Sequence, residues 1–178
     1  MKKIFLVMAL VLMGISASAQ QGEKAAGINL SYGTEHKALG IGVKGQYGIT
    51  DAIRAEASFD YFLKKDGLSM WDINLNVHYL FPLTDKLKVY PLAGLTFTNW
   101  KYEETIEIEV DPMFAQYLTE DDLTIGSVSG SESKFGVNLG AGLQYDLTEK
   151  LALNVEAKYQ FVSDFDQIIF SLGVAYKF

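Results

Sequence analysis

From residue 168 to 178 every second side chain is apolar or aromatic: Ile168, Phe170, Leu172, Val174, Tyr176 and Phe178, with Ser171, Gly173 and Lys177 in the other phase. A period of two marks a strand with one greasy and one polar face. The same alternation recurs along the chain, giving about eight strands of roughly ten residues each. Its greasy phase runs through residues 26–32, 39–49, 53–63, 71–81, 87–97, 135–145 and 151–161, and none of those positions is charged. The ionic residues fall in the opposite phase: Lys44, Arg54, Glu56, Asp60, Asp72, His78, Lys88, Glu156 and Lys158. Both signs are present, so these side chains can neutralise one another as a polar network inside a closed sheet.

Alternation alone does not say which face meets solvent, because a soluble barrel would turn its apolar face inward. Aromatic placement separates the two cases. Tyr32, Phe59, Tyr61, Trp71, Phe97, Phe135, Phe161 and Phe170 lie toward one end of their strands, and Tyr47, Tyr79, Phe81, Tyr145, Tyr176 and Phe178 toward the other. Run up and down, they form two belts, as rings at two membrane interfaces do. The expected fold is all-β, an eight-stranded antiparallel up-and-down transmembrane β-barrel.

Three short segments, around Thr50-Asp51, Thr84-Asp85 and Thr148-Glu149, are variants of one tight turn in which the side chains can bond the local backbone. Short turns belong on the periplasmic side and longer loops outside. The outer connections then fall near 34–38, 64–69, 99–134 and 162–166. Glycines of the inward phase, among them Gly40, Gly42 and Gly142, make room for long neighbours such as Arg54, Tyr90 and Lys158. Pro91 lacks a ladder donor and predicts a bulge near the periplasmic rim.

Lys2 and Lys3 precede an apolar run from Ile4 to Ile15, followed by Ala17-Ser18-Ala19, which reads as a signal peptide over 1–19 and a mature barrel over 20–178. The run is too short to span a bilayer as a helix, so insertion must use strands. Removing the leader takes two of 15 basic residues and deepens the net charge from −7 to about −9, against nucleic acid as a partner. The chain has no cysteine, which excludes disulfides, thiolate metal sites and a lipidated N-terminal cysteine.

In its strand-turn-strand pattern and its terminal Tyr176-Lys177-Phe178 the chain resembles the small eight-stranded outer-membrane barrels of Gram-negative bacteria, the OmpA/OmpX-like group. The resemblance implies residence in outer-membrane lipid as a monomer, and delivery by periplasmic chaperones to the barrel assembly machinery. Leu172, Val174, Tyr176 and Phe178 would be the assembly signal. Members of the group variously anchor, adhere, protect or leak small solutes, so the fold does not choose the role.

The acidic outer loop at about 99–134 is the individual feature. From Trp100 to Lys134 it holds nine acidic residues, Glu103 through Glu132, against Lys101 and Lys134. Ile106, Ile108 and Val110, with Leu123 and Ile125, keep strand alternation and predict a protruding hairpin able to take an extracellular protein ligand. Asp111-Pro112 suits the start of a helical turn through Leu118. Glu120, Asp121 and Asp122 supply oxygens for calcium but lack EF-hand spacing, and no metal or cofactor is expected. The runner-up to a structural or interaction role is a narrow channel for small or hydrophobic solutes. A lipid-modifying enzyme is a minor alternative, because His36 and His78 are not set beside a serine nucleophile in any recognisable motif.

Overall fold

Three threonines build the tight turns. Thr50 Oγ1 accepts the Ile53 amide at 2.9 Å, Thr84 Oγ1 accepts Leu87 at 3.0 Å, and Thr148 Oγ1 accepts Leu151 at 3.0 Å. In each case the residue before the threonine closes the turn through the backbone, Ile49 to Ile53, Leu83 to Leu87 and Leu147 to Leu151, all at 2.8 Å. The repeated motif in the sequence is therefore one repeated geometry, although the hydroxyl rather than the acidic neighbour makes the bond. At the opposite end, Asp66 and Gly67 both take positive φ, 50° and 78°, which suits a two-residue hairpin turn between Lys65 and Leu68.

The computed structural model describes residues 22–35, 37–107 and 124–178, and their side chains outside 104–107 and 124–127. The strands are β1 (Lys24–Gly33), β2 (Ala38–Gly48), β3 (Ile53–Lys65), β4 (Leu68–Tyr79), β5 (Leu87–Glu107), β6 (Thr124–Asp146), β7 (Leu151–Val162) and β8 (Gln167–Lys177). Each pairs antiparallel with the next, and β1 pairs with β8, Ile28 opposite Val174, so the sheet closes on itself. It is an eight-stranded antiparallel barrel. Among the described residues no helix is long and apolar enough to cross a membrane, and the crossing is made by strands.

Leu75, Leu95 and Leu139 point outward at 59%, 63% and 51% exposure, while Asn74, Asn138 and Gln160 of neighbouring positions are fully buried. An apolar exterior around a polar interior is the inverse of a soluble barrel and fits hydrocarbon. The protein is a membrane-spanning barrel, as the pattern implied. Leu139→Arg is expected to lower the unfolding free energy in lipid vesicles by about 2–4 kcal/mol, and Tyr145→Arg, near the rim, by about 0–1 kcal/mol. Urea titration of the two variants checks the contrast.

One expectation changes. Pro91 produces no bulge: β4 pairs with β5 through His78 opposite Leu92, lapses at Tyr79 and Leu80, and resumes in the same register through Phe81–Pro82, with Phe81 opposite Val89. The missing donor of Pro91 is absorbed by a gap in the ladder without an inserted residue. The irregularities lie instead at Phe62/Lys65 and Ile106/Glu107. Within the stretch at about 99–134, residues 99–107 and 124–134 are strand. The β5–β6 ladder runs unbroken from Leu87 opposite Tyr145 to Ile106 opposite Gly126, well past the ends of β4 and β7.

Candidate functional site

The inward side chains fill the barrel in three layers. At the end carrying the short turns, Lys44 Nζ lies 3.0 Å from Glu156 Oε1 and 3.4 Å from Glu56 Oε2. Gln46 donates to Glu56 at 2.7 Å and the Tyr90 hydroxyl donates to Glu156 at 2.7 Å. Arg54 donates through Nε to His78 Nδ1 at 3.2 Å and through Nη1 to Gln144, and its guanidinium lies 4.9 Å from the centre of the Tyr90 ring. Arginine can only donate, so the His78 proton sits on Nε2, 3.7 Å from Glu56 Oε1. The imidazole stacks on Tyr90 at 4.7 Å and 12°. A Cβ on Gly142 would come within 2.5 Å of that tyrosine ring, which is why the wall opposite Tyr90 carries no side chain.

Around mid-barrel the filling is mostly amide and hydroxyl. Asp60 and Asp72 face each other across β3 and β4. Asp60 accepts from Asn29, Ser31 and Ser58; Asp72 accepts from Asn74 at 2.8 Å and from Gln160 at 3.0 Å. Asn138 donates to both Asn74 and Asn76. Lys158 is buried, with no ion pair among the described residues.

The third layer is apolar. Phe62, Met70, Trp100 and Ile169 are essentially inaccessible and cluster at the end of the longer connections, with Leu68 and Phe165 packed against them. Phe165, from the β7–β8 connection, stacks on Trp100 at 4.6 Å and 17°. The Trp100 indole donates to Thr98 at 3.1 Å, so its one polar atom is satisfied. A greasy stopper thus sits over a bonded polar column.

Most of the sequence-predicted network is brought together here: Lys44, Arg54, Glu56, His78 and Glu156 as one cluster, Asp60 and Asp72 as another. Lys88 stands apart, half-exposed at the rim with Asp146 at 3.7 Å. Leu172, Val174, Tyr176 and Phe178 share the exposed outer face of β8 and its end, and the Phe178 amide donates to Lys24 O at 2.9 Å. Backbone pairing reaches Ile106 opposite Gly126 and Glu107 opposite Thr124, beside Ile125. Ile108, Val110, Leu123, the 111–118 turn, Glu120, Asp121, Asp122, His36 and the 1–19 leader lie outside the described residues. Sequence reasoning missed the amides and the stopper. Both had a signal in the inward phase: Asn29, Asn74, Asn76, Asn138, Gln144, Asn154 and Gln160 are polar there, while Phe62, Met70, Trp100 and Ile169 break the polar phase only near the outer end.

Above the stopper the surface is ionic. Lys134 lies 2.8 Å from Asp164 and 2.9 Å from Glu132. Lys64 bonds Glu103 and holds that carboxyl below the usual carboxylate range. These three pairs are exposed or nearly so and contribute little to stability.

The outer membrane protein beta-barrel domain family matches residues 5–178. The N-terminal β-barrel domain of Pseudomonas aeruginosa OprF is 22% identical, with a TM-score of 0.62 over 89% of this chain and 100% of that one. A major outer membrane protein from Thermus thermophilus superposes with a TM-score of 0.66 at 14% identity, covering 89% and 100%. Ail, the attachment invasion locus protein of Yersinia pestis, gives 0.58 at 18% identity, covering 88% and 97%; it has also been crystallised with the heparin analogue sucrose octasulfate. No curated protein matches in sequence. Family match, closed eight-stranded sheet and inverted polarity agree, and the chain belongs to the outer membrane protein beta-barrel domain family.

Proposed function

We propose that this barrel is a structural and surface-interaction protein whose lumen does not conduct, and that contact with partners is made by the extension of β5 and β6. The observation that carries the reading is the filled interior: a bonded ionic layer, an amide layer and the apolar stopper of Phe62, Met70, Trp100 and Ile169 in series. Eight strands enclose a space that side chains can fill, and here they do. The channel alternative would need all three layers to part. A lipid-modifying enzyme would need a base on the outer surface, whereas His78 is buried against Tyr90 and Arg54.

Among the described residues β6 has no β7 partner beyond Gly136 opposite Val162, so its outer stretch offers an edge to an extended segment. The charge of that region is opposite to the one a sulfated ligand such as Ail's would require, and it favours a basic protein segment. The test is capture of a poly-arginine peptide and, separately, of heparin by the folded protein in lipid nanodiscs. Salt-sensitive capture of the peptide, absent for heparin and lost on deleting residues 105–130 while heat-modifiable mobility remains, is the expected result. Capture that survives the deletion would move the interaction elsewhere.

A further inference from the structure

On the outer wall two rows of side chains run across the strands, one above the other. The upper row is Ala141, Ala157, Phe170, Tyr32 and Leu39, each opposite the next on the neighbouring strand. The lower row is Val89, Leu143, Val155, Leu172 and Leu30, matched in the same way. Between them lie Gly142, Glu156, Ser171 and Ser31, which belong to the inward phase and leave only backbone at the floor. The two rows and that floor line a shallow groove of about 580 Å³ with apolar walls. Ala141 and Ala157 open it, because there the upper row ends at a methyl group while Phe170 and Tyr32 stand up beside them.

The dimensions select the occupant. The rows are two residues apart along each strand, about 7 Å, and from β5 to β2 the groove crosses five strand spacings, about 24 Å. A helix, about 10–12 Å across, is too wide to enter. The wall of a second barrel is convex and would touch the groove only along a line. One extended hydrocarbon chain is narrow, long and apolar enough, and the groove is continuous with the wall of exposed Leu75, Leu95 and Leu139 that already meets hydrocarbon. Strands of such barrels tilt by about 35–45°, so a groove running across them climbs obliquely, from the periplasmic half on β5 and β6 to the outer rim on β1 and β2. A chain lying in it is inclined to the bilayer normal and held apart from the freely packed lipid around the barrel.

Charge at the two ends decides the leaflet. Near the lower end the turns before β5 and β7 present Asp85-Lys86 and Glu149-Lys150, all exposed, an alternation of signs that suits a phosphate joined to an ammonium. Near the upper end Glu35, Asp164 and Asp166 outnumber Lys37 and Lys134, and Lys134 is already 2.8 Å from Asp164, so an anionic head is repelled there. We propose that the groove is a binding site for one acyl chain of a zwitterionic, phosphatidylethanolamine-type phospholipid of the periplasmic leaflet, with its head at Lys86 and Lys150. The site lies on the lipid-facing wall and depends neither on the closed lumen nor on any partner of the β5–β6 extension.

Native mass spectrometry of the processed full chain, extracted from membranes in a non-ionic detergent and checked for heat-modifiable mobility, reads retained lipid directly. One phospholipid per barrel should persist. Ala141→Leu with Ala157→Leu, which fills the groove with side chains that hydrocarbon accepts, should abolish retention, whereas Ala57→Leu, in the outward phase of β3 and outside the groove, should keep it. Lys86→Gln with Lys150→Gln should lower the retained fraction several-fold. Without any variant, protein labelled at its alanine methyls in deuterated detergent should show nuclear Overhauser contacts from lipid methylenes to Ala141 and Ala157 and none to Ala57. No retained phospholipid, retention that survives the two leucines, or an outer-leaflet glycolipid retained in its place would overturn the proposal.

Discussion

Lys44→Met is expected to cost about 3–5 kcal/mol of folding stability in lipid vesicles, read as a fall in the urea midpoint. Lys44 is buried, and it is the only cation within ion-pair distance of both Glu56 and Glu156 among the described residues. Removing it leaves two carboxylates in the barrel interior with only neutral donors, Gln46 and Tyr90, plus His78 at 3.7 Å. The penalty therefore comes from stranding the anions rather than from losing the attraction itself. Removing one anion with it, as Lys44→Met with Glu156→Gln, is expected to restore part of the loss, because buried Arg54 and Glu56 then leave the layer without net charge. A single substitution that costs less than about 1 kcal/mol would mean that water already screens the layer, as it does for exposed pairs.

Trp100→Ala is expected to cost a comparable amount, about 3–5 kcal/mol, through the cavity left in the stopper. The indole is 1% exposed, packs with Phe62, Met70 and Ile169, and stacks on Phe165. Those neighbours are carried on separate strands of a closed sheet, which limits how far they can collapse into the space. Two urea titrations, for Trp100→Ala and for Phe165→Ala on the loop side of the stack, should show the larger loss for the tryptophan. Equal losses would mean that the stopper is held by its loop rather than by the wall.

The fold was legible because the membrane imposes a strict period. A charge on the outer face is costly along the whole strand, so residues such as Leu75, Leu139 and Leu172 declare their direction without any tertiary information. The turns were equally plain, since Thr50, Thr84 and Thr148 each need only their own backbone. Contacts between distant strands were not. Lys44 and Glu156 are 112 residues apart, and the register that joins them depends on every intervening hairpin. Sequence therefore supplied the members of the ionic layer but not their pairing, and it could not separate Lys88, which stops at the rim, from Lys44, which does not. Pro91 misled because a missing donor can be met by a lapse in pairing as well as by a bulge. The stopper went unread because an apolar residue in the inward phase resembles noise until several meet at one level. Phe62, Met70, Trp100 and Ile169 do so only once the barrel closes.

Whether the closed column holds under a driving force is the central question, and conductance of the purified, processed chain across a planar lipid bilayer addresses it most directly. The filled lumen predicts no stepwise openings in the unaltered protein, and none in Trp100→Ala, because the amide and ionic layers beneath the stopper still block the path. Stable, stepwise openings that persist after deletion of residues 105–130 would contradict it and make the barrel a narrow channel.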